Sequence, residues 1–473
     1  MSNARWLILS QAGKITLQLV ALFVLSRLLQ PSEYGLLAMA LVATNFASIL
    51  RDSGMGAAVV QKRELTDETL NTVFWLNVGL GTVLALLLAL LSPLLEHFFK
   101  APNLGSVLCV LAIAFPISGT SALHQSLLER DSKFRTVVRI EMSSAVLGLC
   151  VAIALALNGA GVYSLVAQAV AIALLTTLQL WFASTWRPRM RWSYSEFKEL
   201  WRFSGNLTGF TFINFFSRNA DSMVIGRMLG SIQLGIYSQA YKVMMFPLQN
   251  MTYVASRALF PVMSRHQDDR VKMSALYYKS LRLIATATAP LMAGLWVLRD
   301  PFVIVALGNK WAGVADILAW MAPIGLVQSI NSTTGTVFMA SGNTRLLMRI
   351  GVISAVLQVS SFVIGVRWGL TGVTACYLVA NVLACALSLY LVVKVLGTGI
   401  TALLQSLWQP LAFSALMLTV LSPAYAYLQS KQSDPSVSLA LIGVLGAAVF
   451  ASCTFLFSKG LVHDCKQMLG GRK

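Results

Sequence analysis

The sequence predicts an all-α polytopic membrane protein with fourteen transmembrane helices. The 473-residue chain is 57% hydrophobic, only 11% charged, and has a mean hydropathy of +0.71, whereas soluble domains are about 25% charged. Apolar runs of about 20 residues, long enough to cross the hydrocarbon core of a bilayer, recur along the whole chain. An outer-membrane barrel would instead show short strands of alternating hydropathy.

Polar breaks divide the apolar runs into spans. The spans lie near 7–30, 36–57, 70–96, 104–128, 137–157, 161–184, 203–229, 233–255, 277–298, 315–340, 346–366, 371–393, 403–428 and 436–457. The first span contains Lys14 and Gln18 and lacks a small-residue cleavage site, so we expect a retained helix and not a signal peptide.

The distribution of basic residues predicts the orientation in the membrane. Most of the 36 Lys and Arg residues, which give a net charge of +18, fall in loops on the side of the two termini. The positive-inside rule therefore places both termini in the cytoplasm. The longest basic loop, "TWRPRMRWSYSEFKELWR", is more typical of an interfacial anchor on anionic lipid than of a nucleic-acid platform.

Two segments indicate an internal duplication. "SRLLQPSEYGLLAMA" and "GRMLGSIQLGIYSQA" align without a gap at an offset of 200, which pairs Arg27 with Arg227 and Gly35 with Gly235. Two six-helix lobes related by a pseudo-two-fold axis along the membrane normal would result. The predicted division is an N-terminal lobe (1–184), a cytoplasmic basic loop (185–202), a C-terminal lobe (203–396) and a final helix pair with a tail (397–473). The final pair either packs outside the lobes or lines a lipid-facing groove.

Polar residues recur at helical spacing inside the first span of each lobe. In span one they are Gln11, Lys14 and Gln18; in span seven they are Asn214, Arg218 and Asp221. Each set falls on one helical face, and a charge at membrane depth costs roughly 2.5 to 3.5 kcal/mol. We therefore expect both faces to line a cleft between the lobes. Alternatively, Arg218 and Asp221 form an intrahelical pair and Lys14 snorkels to the surface.

Spans two and eight add further charges to the expected cleft. Span two ends with Arg51 and Asp52, and span eight contains Lys242. Four cations against two carboxylates give a cavity of positive potential, for which an anion is the expected guest. The planar guanidinium of arginine suits phosphate, because it donates two parallel hydrogen bonds.

Motifs for covalent chemistry do not occur in the sequence. The six cysteines lack CxxC spacing, the four histidines form no HExxH motif, and no P-loop is present. We therefore expect no metal, no cofactor and no enzymatic step. Nucleic acid is not expected as a partner.

Several phrases carry a resemblance to a known family. They are "RNADSMVIGRMLGSIQLGIYSQAYK", "SRALFPVMSR", "ASGNTRLL" and "RWGLTGV". With them the chain resembles the Wzx-type polysaccharide flippases of the multidrug/oligosaccharidyl-lipid/polysaccharide exporter superfamily. The resemblance implies an oligosaccharide repeat unit on undecaprenyl pyrophosphate as substrate, moved from the cytoplasmic to the periplasmic leaflet of the bacterial inner membrane for exopolysaccharide, capsule or O-antigen assembly. The substrate-binding candidates are Lys14, Gln18, Arg51, Asn214, Arg218 and Lys242.

The resemblance and the residues together predict transport by alternating access, with the lobes rocking about the cleft. A proton or sodium gradient is one source of energy, with Asp221 or Asp52 as the titrating group; a structural ion pair is the alternative for either carboxylate. A monomer is expected, because the cleft lies within one chain, and a polysaccharide polymerase and export machinery are candidate partners. Rival functions are a multidrug or cation antiporter, a peptidoglycan-precursor flippase, and a membrane glycosyltransferase or polymerase, although short outer loops argue against the last.

Overall fold

A computed structural model describes the backbone of residues 2–51 and 65–457. Within these ranges the side chains of 2–12, 195–214, 217 and 250–258 are outside the description. All regular structure in the described part is helical, as predicted. The helices are α1 (Ser2–Leu28), α2 (Pro31–Arg51), α3 (Asp67–Phe99), α4 (Leu104–Ala112), α5 (Ala114–Arg130), α6 (Phe134–Leu157), α7 (Val162–Ala183), α8 (Tyr194–Ser264), α9 (Arg270–Val297), α10 (Arg299–Ala306), α11 (Gly313–Asn331), α12 (Thr334–Ala340), α13 (Thr344–Gly365), α14 (Gly369–Leu396), α15 (Ile400–Ser430) and α16 (Pro435–Phe457).

Ten helical stretches of the described part are long and apolar enough to cross a membrane. One of them, Thr344–Leu396, contains both α13 and α14, because a short 3₁₀ turn joins the two helices. The chain is therefore a multi-pass helical membrane protein. The number of fourteen spans stays a prediction.

Local chemistry explains where α3 begins and ends. The side chain of Thr66 accepts a hydrogen bond from the backbone N–H of Thr69 (3.1 Å), the usual role of a helix N-cap. At the other end Lys100 adopts a left-handed conformation (φ 51°), and the N–H groups there return to the carbonyls of the last turn. This reversal ends α3 at Phe99, shortly after the end of the predicted span 70–96.

The long helix α8 contains a break at Gly230 (φ 85°, ψ −178°). Only glycine adopts this backbone region readily. The break separates a first arm (194–229) from a second arm (231–264), and it falls between predicted spans seven (203–229) and eight (233–255). Because α8 already begins at Tyr194, the preceding loop is shorter than the predicted 185–202.

That preceding loop is attached to α3. The indole N–H of Trp75 donates to the carbonyl of Arg189 (3.0 Å), and the N–H of Ser193 donates to the hydroxyl of Thr72 (3.1 Å). Trp186, predicted as an interfacial anchor, packs against Phe74 with 5.7 Å between ring centroids. This tryptophan therefore binds the loop to the protein.

The chain forms two compact units, Met1–Gly235 and Ile236–Lys473. In the first, α3 packs on α5 and α6 packs on α7; in the second, α9 packs on α15 and α11 packs on both α9 and α14. By its contacts the first arm of α8 belongs to the first unit, whereas the repeat assigns it to the second half. Polar links such as Thr288 to Ser329 (2.8 Å) join neighbouring helices, as small polar residues commonly do in membranes.

A pair of glycines marks the crossing of α2 and α8. A Cβ atom at Gly35 would overlap the carbonyl oxygen of Ser231, and a Cβ atom at Gly235 would overlap the carbonyl oxygen of Pro31. Gly35 pairs with Gly235, and Pro31 pairs with Ser231, at the offset of 200. The two contacts are therefore equivalent: in each, a glycine of one segment meets the same position of the other segment. Such reciprocity is what a local two-fold axis produces. A two-fold relation of whole lobes stays a prediction.

Candidate functional site

Lys14 has a carboxylate partner from a distant part of the chain. Its Nζ lies 2.7 Å from Oε2 of Glu141 on α6, and the two side chains are 46% and 37% exposed. The helices approach closely beside this pair: a Cβ atom on Gly13 would lie 2.6 Å from the terminal carbon of Met142. The contact between α1 and α6 thus fixes the position of the lysine.

Sequence reasoning missed Glu141, and the predicted balance of four cations against two carboxylates omitted this residue. The signal was present, because Glu141 falls inside the predicted span 137–157, where an acidic residue needs a partner or a function. Its pairing was hidden because 127 residues separate it from Lys14. The potential around Lys14 is therefore less positive than the sequence predicted.

Arg218 is exposed on the first arm of α8. Among the described residues, no atom lies within hydrogen-bonding or ion-pair distance of its guanidinium. The intrahelical pair with Asp221 is not formed, and a carboxylate oxygen of Asp221 accepts instead from the N–H of Ser222 (2.6 Å). None of the five N–H donors of Arg218 is therefore used by a described residue.

Aromatic packing holds the helix that carries Arg218. The ring of Phe46 on α2 lies 5.3 Å from that of Phe215 and 5.7 Å from that of Phe216. Such pairs add about 0.5 to 1.5 kcal/mol beyond the burial of apolar area. The guanidinium thus extends from a turn whose preceding residues are fixed against α2.

The remaining candidates have varied surroundings. The guanidinium of Arg51, the last described residue of α2, lies 5.6 Å from the ring centroid of Phe115. Gln18 is exposed one helical turn after Lys14, and Lys242 is exposed on the second arm of α8. Two other candidates, the side chain of Asn214 and the whole of Asp52, lie outside the described residues.

An apolar groove lies within the second unit, where α15 and α16 meet α9. Its volume is about 610 Å³, and among its lining residues are Leu291, Met417, Ile442 and Phe450. Of the described residues in the lining, Thr286 is the one with a polar side chain. Of the two roles open to the final helix pair, the groove supports the lipid-facing one, since a bilayer supplies no polar group for such a surface.

Comparison with known proteins gives the family. The profile of the polysaccharide biosynthesis protein family matches residues 24–316. The chain is 29% identical over 424 residues to the lipopolysaccharide biosynthesis protein WzxC of Escherichia coli (strain K12), covering 89% of this chain and 86% of that protein. It is 27% identical over 421 residues to the teichuronic acid biosynthesis protein TuaB of Bacillus subtilis (strain 168), covering 88% and 87%. The succinoglycan biosynthesis transport protein ExoT of Rhizobium meliloti (strain 1021) is 31% identical over 320 residues, covering 68% of this chain and 65% of that protein.

Solved structures share the fold. The lipid II flippase MurJ in an inward closed conformation superposes with a TM-score of 0.76, covering 96% of this chain and 100% of that chain at 15% identity. An inward-facing multidrug resistance transporter of the MATE family gives a TM-score of 0.62, covering 81% and 94% at 15% identity. The chain belongs to the polysaccharide biosynthesis protein family, as a Wzx-type member of the multidrug/oligosaccharidyl-lipid/polysaccharide exporter superfamily.

Proposed function

We propose that the protein moves an oligosaccharide linked to undecaprenyl pyrophosphate from the cytoplasmic to the periplasmic leaflet of the bacterial inner membrane. Relatives named for the biosynthesis or transport of cell-surface polysaccharides support this function. A pyrophosphate with attached sugars does not cross hydrocarbon unaided, because its charge and hydroxyl groups would lose their hydration. The protein supplies a path for the head group.

The observation that carries the proposal is Arg218. An arginine with no partner among the described residues, on a helix of a membrane protein, is costly unless an anion binds to it. A pyrophosphate provides oxygens for two parallel hydrogen bonds from the guanidinium. We assign Arg218 the first contact with the pyrophosphate, and we retain Gln18, Arg51, Asn214 and Lys242 as further candidates for the head group.

The polyprenyl tail needs an apolar surface while the head group crosses. We assign the tail to the groove formed by α9, α15 and α16, whose lining is almost wholly hydrocarbon. Burial of apolar surface contributes about 25 cal/mol per Å². A long tail held there would tie the substrate to the protein without any contact to the sugars.

Reconstituted vesicles test the proposal. Purified protein is placed in proteoliposomes with a fluorescent oligosaccharide on undecaprenyl pyrophosphate, and the lipid reaching the opposite leaflet is measured by its accessibility to a membrane-impermeant quencher. Wild type is expected to move the lipid, and Arg218→Ala is expected to reduce its movement strongly. The control is Arg345→Ala, which removes an exposed arginine at the start of α13.

Each outcome has a distinct meaning. The function and the site are both supported if wild type and Arg345→Ala move the lipid and folded Arg218→Ala does not. Equal movement by all three proteins retains the function and removes Arg218 from it. No movement by wild type, in vesicles where the peptidoglycan precursor does cross, points to the rival function of a precursor flippase.

Energy for the cycle is assigned to an ion gradient, with Asp221 as the described candidate for titration. Its carboxylate lies on the same helix as Arg218, so protonation of Asp221 and binding of the anion would influence each other electrostatically. Asp221→Asn is expected to make the transport rate independent of an imposed proton or sodium gradient. A wild-type rate that already ignores both gradients would argue against ion coupling.

A further inference from the structure

A second apolar cavity lies in the first unit, between α2, α3 and the first arm of α8. Its volume is about 240 Å³, and its lining includes Ala43, Phe46, Leu91, Phe98 and Phe216. Among the described residues, no polar side chain contributes to the lining. We refer to this space as the α3 cavity.

The α3 cavity and the larger groove use equivalent faces of equivalent helices. At the predicted repeat offset of 200, α3 corresponds to α9. Seven residues of α3 line the α3 cavity, and the repeat positions of four of them also line the groove. The four pairs are Leu87 with Ala287, Leu91 with Leu291, Leu95 with Leu295, and Phe98 with Leu298. The predicted duplication would account for the apolar positions that the two faces share, and different neighbours enclose each face.

A cation stands at the corresponding end of both spaces. Beside the α3 cavity, the guanidinium of Arg227 lies 5.5 Å from the ring centroid of Phe98 and donates to the carbonyl of His97 (3.3 Å). Beside the groove, the guanidinium of Arg299 lies 5.3 Å from the ring centroid of Trp296. Arg227 uses one of its five N–H groups on His97, so donors remain for an anion at the mouth of the cavity.

We propose that the α3 cavity binds a phospholipid of the surrounding bilayer, with one acyl chain in the cavity and the phosphate at Arg227. An apolar slot with a guanidinium at its end complements a lipid that joins hydrocarbon to a phosphate. The α3 cavity has less than half the volume of the groove, about 240 against 610 Å³. An unbranched acyl chain suits the smaller space better than a methyl-branched polyprenyl chain does. The site thus holds a bilayer lipid and leaves the groove to a bulkier chain.

Photolabelling tests the site. The full-length protein is reconstituted with a phospholipid that carries a diazirine on one acyl chain, irradiated and digested, and the labelled peptides are identified by mass spectrometry. Wild type is expected to carry label on α2, α3 and the first arm of α8. Ala43→Trp, which fills the cavity, should reduce this label to the background of other lipid-facing peptides. Arg227→Gln, which keeps the cavity and removes the charge, should reduce it about tenfold.

The matched control fills the other space. Ala447 lines the groove, so Ala447→Trp is expected to leave the label on the α3 cavity unchanged. Circular dichroism and a single elution peak show which variants are folded; if Ala43→Trp fails to fold, Arg227→Gln still tests the proposal. The proposal is overturned if label is spread evenly along all lipid-facing helices, if neither variant lowers it, or if a polyprenyl phosphate probe labels the cavity while the phospholipid does not.

Discussion

Lys14 and Arg218 stand on corresponding helices of the two halves, and their surroundings differ. Lys14 is paired with Glu141 at 2.7 Å, whereas Arg218 has no partner among the described residues. The charge of Lys14 is therefore neutralised before any substrate arrives, whereas no described residue neutralises that of Arg218. We expect an anion to bind first at Arg218 and to reach Lys14 only by competing with Glu141.

The largest expected effect follows from the chemistry of Arg218. Arg218→Ala removes charge-assisted hydrogen bonds and should weaken binding of a pyrophosphoryl polyprenol by about ten- to a hundredfold. Arg218→Lys keeps the charge but not the two-pronged donor geometry, so its affinity should lie between those of wild type and Arg218→Ala. Tryptophan fluorescence or microscale thermophoresis in detergent gives the dissociation constants.

Arg345→Ala serves as the control for loss of an exposed arginine, and its dissociation constant should equal that of wild type. If Arg218→Lys binds as weakly as Arg218→Ala, donor geometry is what matters; if it binds as tightly as wild type, only charge matters. If Arg218→Ala binds as well as wild type does, the contrast between the two cations has no bearing on the substrate.

The helices themselves could be predicted because each needs an apolar run of span length, and such runs are visible in the sequence. The glycine break at 230 also fell between two predicted spans. Two details did not follow from hydropathy: Ile113 interrupts the predicted span 104–128 between α4 and α5, and Ser332–Thr333 separate α11 from α12. Hydropathy averages over a window and does not detect a local interruption of the helical hydrogen bonds within an apolar run.

The site was predictable only in part, for a related reason. Helical spacing placed Lys14 and Gln18 on one face of the first span, and Arg218 and Asp221 on one face of span seven. Spacing within one helix does not show which other helices pack against it. The partner of Lys14 lies on α6 and depends on which helices become neighbours. The same limit explains why the packing of Trp186 on Phe74 did not follow from the sequence; its role as an interfacial anchor stays a prediction.

The second prediction concerns the crossing of α2 and α8, on which the equivalence of the two halves depends. Gly35→Val and Gly235→Val would each force a side chain into a carbonyl oxygen of the opposite segment. Overpacking of this kind costs about 1 to 3 kcal/mol, so thermal unfolding in detergent should occur at a lower temperature for either variant. The two decreases should be similar in size because the contacts are reciprocal.

Gly351→Ala is the matched control for the glycines. A Cβ atom at Gly351 meets no atom within 4 Å, and alanine in a helix interior is favoured over glycine by about 1 kcal/mol. Its unfolding temperature should equal or exceed that of wild type. A tolerated valine at only one of Gly35 and Gly235 would show that the crossing is not symmetric in energy.

The third prediction tests whether the pair of Lys14 and Glu141 competes with the substrate or serves the structure alone. Glu141→Gln releases the lysine, so the affinity for the pyrophosphoryl lipid should rise by a few-fold. Adding Lys14→Met should abolish that gain, and a double-mutant cycle of the two substitutions gives their coupling. An affinity that is the same in all four proteins, together with lowered thermal stability, would assign the pair to structure alone.

The smallest effect is expected from an ion pair that serves as a structural reference for Lys14 and Glu141. Asp269 precedes α9, accepts from the N–H of Lys272 (3.0 Å) and lies 3.3 Å from its ammonium group. The hydrogen bond from the backbone N–H of Lys272 lowers the pKa of Asp269 most. The side-chain hydrogen bond and the positive charge of Lys272 lower this pKa further. Because the folded pKa lies below the unfolded value of about 3.9, the stabilisation is complete above that value and is lost as the pH falls through the folded pKa.

Asp269→Ala should therefore lower the unfolding temperature slightly at pH 7, and the difference from wild type should disappear in acid. Transport by Asp269→Ala should be unchanged at pH 7, because this pair caps a helix. Substitution of Glu141, in contrast, should alter binding of the substrate at the same pH. A transport defect in Asp269→Ala would remove the distinction between a structural ion pair and one that competes with substrate.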